Sequence, residues 1–134
     1  MGARKERKLR KLEKMRDYML KAVECVARVW DKQCRDVDIF TKEDFCAVLD
    51  TGNKTGNVYF HNQLKSVPQE AAVIRESGYT LNNLLLEAAF RRIEAWEMEE
   101  KAEENLSRFD PGEHIVLVKW LIDDWHTREI KAVG

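Results

Sequence analysis

The sequence predicts a mainly α protein, one domain over residues 1–134, carrying one small β-hairpin. Three observations predict it. Apolar residues recur at steps of three and four over most of the chain. Two helix-start signatures stand at Thr41 and Asp110. A single β-branched pair, Val73-Ile74, is followed by Ser77-Gly78 and an aromatic, which is hairpin chemistry. The 134 residues suffice for one buried core. Hydrophobic content of 44% and charged content of 35% fit a soluble helical chain and exclude a disordered one. A net charge of −1 excludes a molecule acting through overall polyelectrolyte charge.

The charge is nonetheless uneven. Residues 1–16 carry eight Lys/Arg against two Glu, and residues 94–104 carry six Glu against one Lys. Such asymmetry marks a nucleic-acid-binding arm or two helices that pair with each other. The first predicted helix covers 4–35. Leu9, Leu12, Met15, Met19, Ala22, Val26 and Val29 lay one stripe down it, and Val23 and Trp30 widen that stripe toward the C-terminal half. Residues 1–16 have only a narrow seam and form a basic helical arm. It offers phosphate contacts, or it is a solvated flank paired with the acidic stretch Glu97–Glu104.

Residues 40–82 are the stretch with functional content. Thr41 and Asp44 form a variant capping box, followed by Phe45, Val48 and Leu49 at helical intervals, with Gly52 as the stop. Thr51–Asn57, rich in Gly and Asn, reads as a loop. Lys54-Thr55 lacks the preceding glycine and strand of a phosphate-binding loop, so a Walker site is rejected. In Val58–Val67, Phe60, Leu64 and Val67 point inward, and Tyr59, Asn62, Gln63, Lys65 and Ser66 fall elsewhere on the helix. Amides, a hydroxyl and a lysine suit base edges and phosphates, although any amphipathic helix has a polar outer face. After Pro68, Ala72–Glu76, Ser77-Gly78 and Tyr79–Leu81 read as a hairpin within 69–81. The competing reading starts a helix with Pro68 at its first position and ends it at Gly78. The hairpin is favoured here.

A helix with Phe45/Val48/Leu49, a helix with Phe60/Leu64/Val67, a β-branched pair six residues on, and Gly78-Tyr79-Thr80-Leu81 together resemble the winged helix-turn-helix superfamily of DNA-binding regulators. The resemblance covers 40–82 and rests on spacing and residue class. The Asp50–Asn57 loop is several residues longer than the family's tight turn. The resemblance implies a recognition helix at Val58–Val67 with Tyr59, Asn62, Gln63 and Lys65 toward DNA, and Arg75 and Tyr79 on the wing. Lys54 and Thr55, with Arg4, Lys5, Arg7, Lys8 and Lys11 of the arm, complete the implied nucleic-acid-binding set. Gly78–Leu81 followed by Leu84–Arg92 also resembles the second helix of ribbon-helix-helix proteins, a weaker match because the preceding helix would be short.

Residues 83–132 supply two C-terminal helices. In Asn82–Phe109, Leu84, Leu85, Ala88, Ala89, Ile93 and Trp96 pack one face, and Leu106 and Phe109 restore apolar contact after a charged stretch. Asp110, Pro111 and Glu113 then supply an N-cap, a first helical position and a capping-box acid. Ile115, Val118, Leu121, Ile122 and Trp125 face inward, while Val116, Leu117 and Trp120 make the remaining faces apolar too. A helix apolar on most sides is buried on most sides. The expectation is therefore a homodimer built from the first helix and the last two.

No residue set points to catalysis, a metal or a cofactor. His61, His114 and His126 are scattered, and the pair Asp123/His126 has no third ligand in sequence. Cys25, Cys34 and Cys46 form no C-x-x-C, which favours a reducing, cytoplasmic setting. The N-terminus is charged and lacks a signal-peptide core, and no run approaches a membrane span. Two expectations result. One is a dimeric transcriptional regulator that places helix 58–67 in the major groove of duplex DNA. The other is a helical adaptor or inhibitor that docks a protein through Trp120, Trp125 and the basic arm.

Overall fold

A computed structural model describes residues 2–35, 40–98 and 109–134. Its elements are α1 (Gly2–Cys34), α2 (Lys42–Ser66), a 3₁₀ turn at Pro68–Glu70, α3 (Ala71–Glu97) and α4 (Pro111–Val133). The mainly α expectation holds. The β-hairpin does not, since there is no strand among the described residues. The segment expected as a loop, Thr51–Asn57, lies inside α2, and the segment expected as a hairpin, Ala72–Leu81, lies inside α3. Helix 58–67 is thus the rear half of a 25-residue helix and not a separate recognition helix. The predicted continuation of the third helix over 99–108, with Leu106 and most of the acidic stretch, lies outside the described residues.

Local chemistry explains both corrections. Gly52 does not stop α2 because it is where α2 meets Trp30. A Cβ there would stand 2.5 Å from Trp30 Cζ2, and the indole Nε1 donates to the Val48 carbonyl at 2.7 Å. Absence of a side chain lets the N–H edge of a large indole reach the helix backbone, and that burial outweighs glycine's helix penalty of about 1 kcal/mol. Thr51 and Thr55 turn their hydroxyls back onto the carbonyls of Ala47 and Thr51, so neither competes for backbone donors. In α3, Ile74, Ser77, Gly78, Leu81 and Leu85 fall on one buried face. Ser77 Oγ donates to the Val73 carbonyl at 2.8 Å, and Gly78 admits the Phe60 ring of α2, 3.3 Å from where a Cβ would sit. Pro68 opens the 3₁₀ turn that leads into α3, as the competing helical reading places it, but the helix passes through Gly78 and does not end there.

The caps behave as their residues dictate. Thr41 and Asp44 make the reciprocal capping box, each bond at 3.2 Å. Asp110 Oδ1 accepts from the amides of Gly112 and Glu113. Glu113 accepts from Arg92 at 2.8 Å.

α1 packs against all three other helices. It runs antiparallel to α4, with Arg16 paired to Asp123 at 2.8 Å and Trp30 beside His114 at the far end. α2 and α3 form an antiparallel pair in which Asn82 Nδ2 donates to Asn57 Oδ1 at 3.1 Å. Met15, Met19, Ala22, Val23, Val26 and Trp30 supply α1's buried side. One end of the core is aromatic. Phe45 lies 4.8 Å from Trp96 and 5.1 Å from Phe109 between ring centroids, and Phe40 meets Phe109 at 5.6 Å. Edge-to-face pairs of this kind add stabilisation beyond their buried area.

Candidate interaction surface

The residues implied as nucleic-acid contacts do not gather on one convex face. Asn62 and Lys65 are exposed on α2, whereas Tyr59 and Gln63 are half-buried. Tyr59 stacks edge-on against Phe60 and packs on the core, and burial pushes its hydroxyl pKa up, with Cys25 and Glu24 adding to the rise. Lys54 is spent on Asp50 one turn earlier, at 2.9 Å, and Thr55 is bonded to its own helix. Arg75 and Tyr79 are exposed, but on α3 and not on a wing.

The basic arm is partly neutralised inside the molecule. Lys11 pairs with Glu76 at 2.8 Å, Lys14 with Glu70 at 3.0 Å and Arg16 with Asp123. The partners are acids of the 3₁₀ turn, α3 and α4, whereas the acidic stretch expected to pair with the arm lies mostly outside the described residues. Tyr18 also donates to Glu70. Burial, then that bond, push the phenol pKa up to about 12, and the same bond with Lys14 holds Glu70 below its usual range. Arg4, Lys5, Arg7 and Lys8 remain exposed, and Arg4, Arg7, Lys8 and Lys11 line a shallow cleft of about 270 Å³. A second groove of about 390 Å³ lies between the arm, Thr80 of α3 and Trp125 of α4.

An exposed apolar line lies on α3. Tyr79, Leu86 and Phe90 are 73%, 44% and 63% exposed, on the helix side opposite its buried residues. Their spacing of seven and four keeps them in line along the helix. Sequence reasoning took Leu84, Leu85, Ala88 and Ala89 as the packed face, all of which are buried, and left Leu86 and Phe90 unassigned. The signal was there: two large apolar side chains four apart, pointing away from an already complete stripe. On α4, Val116 and Trp120 are also exposed, and Arg91 of α3 stacks over the Trp120 ring at 5.7 Å. Trp125, grouped with Trp120 as a protein-docking residue, is half-buried against the core.

Among the described residues, His114 is a fully buried polar group without a hydrogen-bond partner on either ring nitrogen, and it is enclosed by Trp30, Phe45 and Phe109. Burial, followed by the nearby Arg92 guanidinium, drives its pKa down to about 4. It is a neutral, aromatic-like filler at neutral pH. Among the described residues no group of three or more His, Cys, Asp or Glu is placed to hold a metal ion. None of their helices is long and apolar enough to cross a membrane. No family model, curated protein or solved structure matches this chain.

Proposed function

We propose that the chain is a non-catalytic helical association module that docks a polypeptide partner on the outward face of α3. One observation carries this reading: Tyr79, Leu86 and Phe90 stand exposed in a line on a bundle whose core is already closed by other residues. Large apolar side chains aligned on one face keep a free-energy cost in water that a docking helix removes. A photo-crosslinking amino acid at Phe90, compared with one at Val58, tests it. Val58 is also exposed but sits on α2. Polypeptide adducts at position 90 and not at 58 are expected, in purified protein or in extract of the cells that make it. Absence of adducts at 90 in both, or equal yield at 58, contradicts the reading.

A second reading rests on the cleft lined by Arg4, Arg7, Lys8 and Lys11. Phosphates of duplex DNA suit Arg4, Arg7 and Lys8, with Lys11 already paired to Glu76, and such affinity collapses as salt rises. Substituting Arg4, Arg7 and Lys8 by Ala would flatten that salt dependence. Duplex binding that is absent at low salt, or unchanged in the triple variant, removes this reading. Without a hairpin and a separate recognition helix, phosphate contact is all that it retains.

A further inference from the structure

The face of α3 is self-complementary. Arg75 stands at the start of the exposed line and Glu97 at its end, with Leu86 midway between them. Reversing the helix about Leu86 exchanges the two charged positions and brings Tyr79 opposite Ile93, which is half-buried. A second copy laid antiparallel on this face therefore places Leu86 on Leu86, and Arg75 beside Glu97 at both ends. A parallel copy would set Arg75 on Arg75 and Glu97 on Glu97. Lys65 strengthens the polarity. The α2/α3 register fixed by Asn57–Asn82 and Phe60–Gly78 places it level with the turn that carries Arg75.

We infer that the occupant of the α3 face is a second copy of this chain, paired antiparallel about a twofold axis at Leu86. The inference rests on the docking reading above and names its partner. The interface is isologous, as twofold dimers require. Its apolar centre is Leu86 with Tyr79 and Phe90 to either side, and its rim is the charge pair repeated twice. A single helix-to-helix contact falls at the low end of specific interfaces, roughly 1,200 Å² or less in total, so a reversible dimer is expected. This surface differs from the one expected on sequence grounds, which joined the first helix and the last two.

Sedimentation equilibrium of the purified full chain tests the inference, with circular dichroism as the check on folding. Wild type should dimerise reversibly with concentration. Leu86→Glu, which puts two like charges on the axis, should leave a monomer of unchanged helicity. Arg75→Glu and Glu97→Arg should each weaken dimerisation roughly threefold to tenfold, the range for exposed ion pairs turned repulsive at two sites. The double variant, Arg75→Glu with Glu97→Arg, should restore it, because the pairs re-form only in the antiparallel arrangement. A wild type that stays monomeric, a dimer indifferent to Leu86→Glu, or a double variant that fails to recover overturns the inference. The docking reading survives that failure if position 90 still crosslinks a polypeptide of another mass in extract, and falls with it if position 90 crosslinks nothing.

Discussion

At the residue scale, His114 couples folding to pH. Its imidazole is enclosed by Trp30, Phe45 and Phe109 and has no partner for a proton among the described residues. The charged groups nearby are Arg92, which opposes protonation, and Glu113, whose carboxylate is held by Arg92. The folded-state pKa of about 4 lies below the unperturbed 6.5. Between those values the unfolded chain binds the proton and the folded chain does not. The neutral histidine's contribution is thus complete above about pH 6.5 and lost as pH falls toward 4, by roughly 2–3 kcal/mol. Urea unfolding at pH 7 and pH 4.5 should show that loss in wild type and a smaller one in His114→Phe. Equal losses in both proteins would mean that groups other than His114 carry the effect. Glu70's share, from a lowered pKa, is present above the ordinary carboxylate value and is lost only as pH falls below it.

At the element scale, α2 shows where sequence-level reasoning stops. The stripe of α1, the capping box at Thr41, the N-cap at Asp110 and the inward residues of α4 were all legible, because periodicity and capping are local properties. Thr51–Asn57 and Ala72–Leu81 were not. Gly52 and Gly78 are explained by the Trp30 and Phe60 rings, which arrive from 22 and 18 residues earlier in the chain, while Gly56 meets no such ring. Local propensity pointed to loop and turn, and tertiary packing overrode it. The length of the supposed Asp50–Asn57 loop, at odds with a tight turn, was the one local hint. The candidate surface is half legible: the sequence marks Tyr79, though for a wing, while Leu86 and Phe90 carry no local signal beyond their spacing. The two glycines of α2 should respond oppositely to alanine. Gly52→Ala drives a methyl into the Trp30 ring and should destabilise by about 1–3 kcal/mol. Gly56 has no atom within 4 Å of its Cβ position, so Gly56→Ala should stabilise by about 0.5–1 kcal/mol. Denaturant midpoints of the two variants check both signs, and a stabilised Gly52→Ala would contradict the packing at Trp30.

At the scale of the whole molecule, folding and association use different sides of the same helix. Leu81 is fully buried on α3's inner side, whereas Phe90 is mostly exposed on its outer side. Leu81→Ala should therefore cost about 2–5 kcal/mol of stability. Phe90→Ala, measured at micromolar concentration or below, should stay within about 0.5 kcal/mol of wild type. A large loss for Phe90→Ala would mean that the residue belongs to the core and not to a docking face. The arm follows the same division. Lys11, Lys14 and Arg16 tie α1 to its neighbours, while Arg4, Lys5, Arg7 and Lys8 project beyond those ties. Because the ties are exposed, each contributes little and weakens with salt.

The docking line exists only if α3 continues without a break through Ala72–Leu81, since a hairpin there would separate Tyr79 from Leu86 and Phe90. Backbone ¹³Cα chemical shifts of Ala71–Leu86 measure this directly. Uninterrupted helical deviations through Val73, Ile74, Ser77 and Tyr79 are predicted. Strand-like deviations at Val73-Ile74 and Tyr79-Thr80, with a turn at Ser77-Gly78, would contradict the account.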